Sequence, residues 1–185
     1  MIYPPFSSIV QDDTMVIDFV VRAHIGQYRK TGEPFHMHPL RMYSSYIQTD
    51  NTDPIISQAL LLHDTVEDTD TTLSDIQSMF GEPIASIVDA ITCYDSSRNK
   101  LTKYEAVQKL IEYSKQDYRC LIVKLFDCID NLETIHGLSL LKQYRFKTEK
   151  RCIYLPLFIG MIDYIPHRDR NMYVKQVEMM RKLLV

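Results

Sequence analysis

The sequence is short of the residues that build hairpins, linkers and disulfide frameworks. Its 185 residues include five glycines and no tryptophan, and they contain no repeat or low-complexity stretch. So few glycines leave little room for tight turns between strands, which favours an all-α fold. The four cysteines, Cys93, Cys120, Cys128 and Cys152, form no CxxC pair. This spacing indicates free thiols in a reducing compartment.

A strong net charge and a long apolar run are also missing. The formal net charge is −3, so no overall attraction to nucleic acid or to an anionic membrane is expected. The longest apolar run, Cys152 to Ile162, is interrupted by Pro156 and is too short to span a bilayer. The first six residues lack the basic-then-apolar pattern of a signal peptide. We therefore predict a soluble, cytoplasmic protein that forms a single domain over residues 1–185.

Helical periodicity runs through most of the chain and predicts a bundle of roughly eight to ten helices. The first helix is expected from about Thr14 to Tyr28. Thr102 and Glu105 form a capping-box pattern at the start of a later helix. A long helix is predicted from about Ser139 to Tyr164. The last helix, from Arg170 onward, is apolar enough either to dock on the core or to form a homo-oligomer contact.

The segment richest in chemically active side chains is Leu60-Leu-Leu-His63-Asp64-Thr-Val-Glu67-Asp68-Thr-Asp70. An apolar helix here runs directly into one imidazole and four carboxylates. A His–Asp dipeptide alone occurs often by chance, and a solvated acidic helix end would explain it. The segment indicates a candidate metal site only in combination with two other segments.

A second polar feature lies on a helix predicted from about Asp117 to His136. Apolar side chains occupy nearly all sides of this helix, which predicts that it is buried. Asp127, Asn131 and Thr134 form a polar stripe on it, at spacings of four and three residues. A buried ionised carboxylate is costly unless it is paired or binds a metal. Asp127 is therefore a metal ligand, or the partner of Lys124, or part of a stripe that reaches solvent.

The third feature is His36-Met-His38. Two histidines, a His–Asp pair and a buried aspartate would form a mixed nitrogen and oxygen site, which suits a first-row divalent ion such as Mn, Fe or Zn. An ion held by four ligands would keep open positions for water and for a phosphate oxygen. The four candidate ligands are His38, His63, Asp64 and Asp127.

Acidic and basic side chains accompany these candidate ligands. Glu67 and Asp68 follow the His–Asp pair closely enough to orient or deprotonate a water molecule, or to protonate a leaving oxygen. Arg29, Lys30 and Arg41 form a local basic patch that would attract a phosphorylated substrate. The alternative for this patch is a solvated basic loop.

Together these segments resemble the hydrolase domain of RelA/SpoT proteins, within the HD superfamily. The similarity lies in three stretches and extends over about residues 15–160. The stretches are Arg29-Lys-Thr-Gly-Glu-Pro-Phe-His-Met-His38-Pro, Leu61-Leu-His-Asp-Thr-Val-Glu-Asp-Thr69 and Val123-Lys-Leu-Phe-Asp127-Cys-Ile-Asp-Asn131-Leu-Glu-Thr134. The resemblance implies an all-α fold, a Mn²⁺ site, and hydrolysis of the 3′-pyrophosphate of (p)ppGpp to GDP or GTP. Because the chain ends soon after this region, we expect a small stand-alone alarmone hydrolase.

The resemblance also implies a role for each matching residue. The metal ligands would be His38, His63, Asp64 and Asp127. The catalytic acidic pair would be Glu67 and Asp68. Arg29 and Lys30 would contact the guanine and neighbouring phosphates, with Asn131 and Thr134 on the ribose and phosphate side.

The sequence departs from the family in ways that leave the substrate open. Cys128 and Asp130 stand where the long family members usually carry arginine and histidine. In the poorly matching region after Thr92, the phosphate-binding side chains could be Arg98, Lys100 and Lys103. The alternatives are therefore the same reaction on (p)ppApp or on the 2′-phosphate of NADPH, or a non-catalytic nucleotide sensor.

Overall fold

The structure, a computed structural model, describes residues 12–50, 52–95 and 97–185. The prediction that the N-terminus carries no signal peptide falls outside these ranges. Within them the fold is helical, and β-structure is limited to two isolated bridges, Tyr28 with Pro34 and Tyr94 with Lys100. The predicted all-α class is confirmed. None of the described helices combines the length and the apolar character needed to cross a membrane.

The described residues form eleven α-helices along the chain. They are α1 (Asp13–Ala23), α2 (Met37–Ile47), α3 (Pro54–Leu62), α4 (Thr65–Asp68), α5 (Leu73–Phe80), α6 (Glu82–Ile91), α7 (Lys103–Gln116), α8 (Arg119–Glu133), α9 (Leu140–Glu149), α10 (Leu155–Gly160) and α11 (His167–Leu183).

Local sequence explains where several helices begin and end. The predicted capping box of Thr102 and Glu105 is present at the start of α7. Helix α1 ends at Ala23, five residues earlier than predicted, because the chain turns at Gly26, whose φ of 78° is accessible to glycine without strain. The residues after this turn form the loop that carries Arg29 and Lys30.

The prediction of one helix from Ser139 to Tyr164 is wrong. Helix α9 gives way to a π-helical turn, Lys150–Tyr154, followed by α10 and a 3₁₀ turn, Ile162–Tyr164. Pro156 has no N–H group and cannot continue the ladder of α-helical hydrogen bonds.

Helix α8 lies at the centre of the bundle and packs against α2, α3, α6, α7 and α11. Leu121, Ile122, Val123 and Leu125 are fully buried, so the prediction of a buried helix is confirmed. Helix α11 docks on the core through Met172, Val177, Met180 and Leu184, which are buried. Because α2, α3 and α8 are neighbours, the polar residues of three distant segments meet in one place.

The four cysteines are free, as predicted.

Candidate active site

Two imidazoles and a carboxylate converge where α2, α3 and α4 meet. His38 lies in the first turn of α2, His63 directly follows α3, and Asp64 precedes α4. One ligand atom from each of the three residues can be chosen so that all lie within 4.8 Å of one another. Nε2 of His38 is 3.6 Å from Oδ2 of Asp64, and Nε2 of His63 is 3.1 Å from Oδ1 of Asp64. These donors are close enough to share a single cation.

The buried nitrogen of His63 supports this interpretation. Nδ1 of His63 donates a 2.9 Å hydrogen bond to the Leu60 carbonyl. This bond directs the Nε2 lone pair into the cluster, where Nε2 is buried and finds no hydrogen-bond partner among the described residues. A buried polar atom without a partner is costly. A divalent cation would satisfy it, so the residues fit a metal.

Asp127 brings a second carboxylate from α8 to the same cluster. Its Oδ1 is 3.4 Å from Nε2 of His38 and 4.0 Å from Nε2 of His63. Its Oδ2 accepts a 2.7 Å hydrogen bond from Lys124 Nζ. Burial raises the pKa of Asp127, but the neighbouring Lys124 ammonium outweighs it and holds that pKa well below its usual range. The pairing with Lys124 and the approach to the histidines, which the sequence offered as alternatives, both occur.

Asp130 is a site residue that the sequence reasoning missed. Its Oδ2 accepts a 2.6 Å hydrogen bond from His38 Nδ1, so Nε2 of His38 faces the cluster. Burial opposes the charge on His38, but the hydrogen bonds to Asp127 and Asp130 prevail and raise the pKa of His38 to about 9. The spacing of three residues after Asp127, on one buried helix, was the available signal.

Arg41 does not belong to the basic patch that was predicted for substrate. Its Nε donates a 2.7 Å hydrogen bond to Oδ1 of Asp130, and its Nη1 pairs with Glu33. Arg41 does not line the pocket that surrounds the candidate metal ligands. Its charge instead supports the carboxylate that orients His38.

The acidic pair lies on the four-residue helix α4. Glu67 reaches the pocket, and its Oε2 accepts a 2.9 Å hydrogen bond from the backbone N–H of Cys93. Asp68 is exposed and does not line the pocket. Partial desolvation, with repulsion from Asp64 and Glu67, raises the pKa of Asp68 to about 6.

Contacts from outside α4 hold this short helix in place. Gln27 Nε2 donates a 2.7 Å hydrogen bond to the Asp68 carbonyl, and Gln27 Oε1 lies 2.8 Å from Nδ1 of the buried His24. Arg98 Nη2 donates to the carbonyls of Val66, at 3.0 Å, and Thr69, at 3.2 Å. Arg98 was predicted to bind phosphate. It instead satisfies carbonyls at the end of α4, which a helix of this length leaves open.

A pocket of about 540 Å³ surrounds the candidate metal ligands. This volume suits a small-molecule ligand. Arg29 occupies one part of it, and its Nη2 donates to Asn131 Oδ1 at 2.7 Å and to Thr134 Oγ1 at 3.3 Å. Of the ten predicted site residues, Asp68 alone does not line the pocket. The lining residues include Arg29, Lys30, His38, His63, Asp64, Glu67, Asp127, Asn131 and Thr134.

Comparison with known proteins identifies the family. Residues 17–158 match the family described as HD domain. The chain belongs to the HD-domain family. HD domains are metal-dependent, and in this one the ligand atoms of His38, His63 and Asp64 lie close enough together to hold a metal ion.

Related sequences place this HD domain among much longer proteins. It is 35% identical over 155 residues to the guanosine-3′,5′-bis(diphosphate) 3′-pyrophosphohydrolase of Aquifex aeolicus, covering 84% of this chain and 22% of the relative. It is 36% identical over 137 residues to the GTP pyrophosphokinase of Streptomyces coelicolor, covering 74% of this chain and 16% of the relative. The chain thus spans about a fifth of the length of these curated relatives.

A solved structure shares the fold of this HD domain. It is described as a metazoan ortholog of SpoT that hydrolyzes ppGpp and plays a role in starvation responses. The likeness covers 98% of both chains, with a TM-score of 0.68 and 24% identity. At this identity the likeness shows the fold alone.

The HD domain also places three lysines in the pocket. They are Lys103, Lys124 and Lys150. Lys103 was a candidate from the sequence, Lys124 was considered only as a partner of Asp127, and Lys150 was missed. No sequence signal marked Lys150, which lies at the first position of the π-helical turn.

Proposed function

We propose that this HD domain is a metal-dependent (p)ppGpp 3′-pyrophosphohydrolase that releases pyrophosphate and GDP or GTP. The observation that carries the proposal is the buried Nε2 of His63, which has no hydrogen-bond partner in the described part of the chain and faces His38, Asp64 and Asp127 inside a pocket rich in basic side chains. The relatives named as 3′-pyrophosphohydrolases support the choice of substrate. The partner is then a small-molecule nucleotide.

We propose His38, His63, Asp64 and Asp127 as the metal ligands and Mn²⁺ as the ion. When bound, a divalent ion would neutralise charge that develops on the phosphoryl group and lower the pKa of the attacking water. Lys124 would hold the second oxygen of Asp127, which leaves Oδ1 directed at the cluster. Asp130 would keep the Nε2 lone pair of His38 in position.

The acidic pair would handle the protons of the reaction. A water oxygen attacks the phosphorus bonded to the 3′ oxygen, the bond between that phosphorus and the 3′ oxygen breaks, and the 3′ oxygen gains a proton. Glu67, anchored by the Cys93 N–H at the pocket wall, would accept the proton of the water. Asp68, exposed beside it, would exchange that proton with solvent, and the leaving 3′ oxygen would take its proton from solvent.

The remaining predicted residues would bind the nucleotide. Arg29 is largely buried, and its guanidinium plane is fixed by Asn131 and Thr134. A guanidinium held in one plane can stack on a base and also bind phosphate. We propose that Arg29 and Lys30 contact the guanine and neighbouring phosphates, and that Asn131 and Thr134 lie on the ribose and phosphate side.

The decisive experiment is a hydrolysis assay with Mn²⁺ that offers ppGpp, pppGpp, ppApp and NADPH in parallel. His63→Ala is the blank, and its thermal melting curve checks that it is folded. Pyrophosphate release from ppGpp that disappears in the blank would support the proposal. Turnover restricted to ppApp or NADPH would keep the reaction type and replace the substrate. Absence of turnover on all four, in folded and metal-loaded protein, would refute the hydrolase proposal.

Glu67→Gln separates an enzyme from a nucleotide sensor. The amide cannot take the proton of the water, so an enzyme should lose turnover by roughly 10²–10⁴-fold. Nucleotide binding should remain, because no phosphate-binding cation changes. A protein whose biological activity survives this substitution would be a sensor.

A further inference from the structure

A buried imidazole lies at the end of α1 with one of its two nitrogens unpartnered. His24 is 1% exposed, and its Nδ1 lies 2.8 Å from Oε1 of Gln27. Its Nε2 is buried and has no hydrogen-bond partner in the described part of the chain. An unpartnered buried nitrogen costs free energy, which an apolar side chain at this position would avoid. The position therefore gains something from Nδ1 that an apolar side chain would not provide.

The hydrogen bonds of Gln27 fix the tautomer of His24. Nε2 of Gln27 donates a 2.7 Å hydrogen bond to the carbonyl of Asp68, and a carbonyl can only accept. Oε1 of Gln27 therefore faces His24, and because this oxygen can only accept, Nδ1 of His24 carries the hydrogen. Burial lowers the pKa of His24, so the ring is neutral at neutral pH. The neutral Nδ1–H form of His24 is thus the form that matches Gln27.

Gln27 connects His24 to the acidic pair. The carbonyl of Asp68 lies at the end of the four-residue helix α4, where carbonyl groups lack a partner within the helix. Gln27 binds that carbonyl from a segment 41 residues earlier in the chain. Glu67 directly precedes Asp68, so a displacement of this carbonyl would move the carboxylate that is proposed to take the proton of the water.

His24 also contacts the side of the site that carries the metal ligands. Its ring stacks on Phe35, with 4.7 Å between the ring centres and 21° between the ring planes. Phe35 lines the pocket and packs edge-on against the ring of His38, at 6.4 Å between centres. The Phe35 N–H also donates a 3.0 Å hydrogen bond to the Gln27 carbonyl. His24 is therefore joined to the acidic pair through Gln27 and to a candidate metal ligand through Phe35.

We infer that His24 is a positioning residue for the reaction, which sets the place of the acidic pair relative to the candidate metal ligands. His24 does not line the pocket, so it acts through Gln27 and Phe35 and not on the substrate. The inference rests on the proposed function and deepens it. His24 is itself held by the core, because α1 buries Val16 and Val20 and packs against α3.

The first test separates positioning from stability. His24→Phe keeps an aromatic ring to stack on Phe35, but it removes both the donor to Gln27 and the unpartnered nitrogen. We expect a melting temperature equal to or above that of wild type, with kcat for ppGpp reduced about 10- to 100-fold, because a small misplacement of a catalytic group is costly. KM and Mn²⁺ affinity should stay close to those of wild type, since no proposed nucleotide or metal ligand is altered. Equal kcat in His24→Phe and wild type would overturn the inference.

A second substitution should reverse the order of stability and activity. The side-chain amide nitrogen of asparagine can take the place of Nδ1, so His24→Asn keeps a donor to Gln27 but leaves a cavity where the ring was. His24→Asn should be less stable than His24→Phe and yet have the higher kcat. His167→Phe, at an exposed histidine outside the pocket, should match wild type in both properties. A kcat that follows the melting temperature across these variants would make His24 a structural residue and overturn the inference.

Gln27→Leu keeps the test decisive if His24→Asn does not fold. It removes the hydrogen bond to the Asp68 carbonyl directly and should lower kcat as much as His24→Phe does. The variant with both substitutions should be no slower than Gln27→Leu alone, because each substitution breaks the same connection. Additive losses in kcat would show that His24 acts by another route and would overturn the inference.

Measurements without turnover distinguish this inference from the proposed function. Nitrogen NMR spectra of isotope-labelled protein should show His24 as the neutral Nδ1–H tautomer. The N–H groups of Asp68 and Thr69 donate to the carbonyls of Asp64, at 2.9 Å, and Thr65, at 3.1 Å, and their hydrogen exchange should be faster in His24→Phe. If wild type hydrolyses none of the nucleotides, the proposed function fails, while these spectra still report whether His24 holds α4. The Nε2–H tautomer, or exchange equal to wild type in His24→Phe, would overturn the inference.

Discussion

His38 Nδ1 donates a 2.6 Å hydrogen bond to Asp130 Oδ2, while His38 Nε2 faces Asp127 and Asp64. A carboxylate behind a ligating histidine fixes its tautomer and increases its basicity. Asp130→Asn keeps the shape of the side chain and removes its charge. We expect Mn²⁺ affinity to fall about 10- to 100-fold.

Isothermal titration of Mn²⁺ measures the effect of Asp130→Asn. Glu133→Gln is the control, because Glu133 is an exposed carboxylate on the same helix. Equal Mn²⁺ affinity in Asp130→Asn and wild type would show that the hydrogen bond to His38 is unrelated to metal binding.

Metal binding should stabilise the fold. The candidate ligands join α2, the end of α3 and α8, so an ion bound only by the folded state stabilises it by about 2.7 kcal/mol at one hundred times its Kd. The midpoint of thermal unfolding should rise with Mn²⁺ and return to its initial value with a chelator. His63→Ala should remove most of this dependence. A melting temperature that is independent of Mn²⁺ in wild type would contradict the proposed metal site.

Arg98 should affect the turnover rate because it holds α4, which carries Glu67, in position. Its guanidinium binds the carbonyls of Val66 and Thr69, and its own φ is 59°. Arg98→Ala removes the side chain but keeps the left-handed backbone strain of roughly 1–2 kcal/mol that wild type already has, whereas Arg98→Gly removes the side chain and relieves that strain. We expect kcat to fall about tenfold in Arg98→Gly, because a loosened α4 misplaces Glu67.

Steady-state kinetics and Mn²⁺ titration together test the role of Arg98. Metal affinity should be unchanged, since the candidate ligands lie outside α4. Lys100→Ala, in the same loop, is the control for a general disturbance of this segment. A normal kcat in Arg98→Gly would refute the positioning role.

Gly137 should control the position of the basic loop. A Cβ at residue 137 would overlap the methyl group of Thr31 and approach its Cα and N to 3.2 Å. Gly137→Ala should therefore displace Thr31 together with Arg29 and Lys30, at a cost of about 1–3 kcal/mol in stability. We expect KM for nucleotide to rise several-fold, with little change in Mn²⁺ affinity.

A double-mutant cycle tests this contact. Thr31→Ser removes the methyl group, so the variant with both substitutions should recover part of the lost affinity and stability. Thr31→Ser alone is the reference. Strictly additive effects of the two substitutions would exclude the steric mechanism.

Much of the site was predictable because the neighbours of its residues in the sequence indicate the chemistry of those residues. The apolar surroundings of Asp127 on one helix require a partner for its charge, and the chain pairs it with Lys124 and directs it at two histidines. The capping box of Thr102 and Glu105 was predictable for the same reason, because its hydrogen bonds join residues within one helical turn. The all-α class likewise follows from periodicity and from the scarcity of glycine.

The sequence by itself determined the helical class, the buried α8 and the identities of nine residues that line the pocket. Only the tertiary structure decided which groups the basic side chains contact and which residues orient the candidate metal ligands. Arg41 and Arg98 read as phosphate binders in the sequence, but each is engaged by groups distant in the chain, Asp130 and the end of α4. No sequence signal marked Lys150, but the fold places it at the start of the π-helical turn and in the lining of the pocket. Periodicity describes contacts within a helix, whereas these roles depend on which helices pack together.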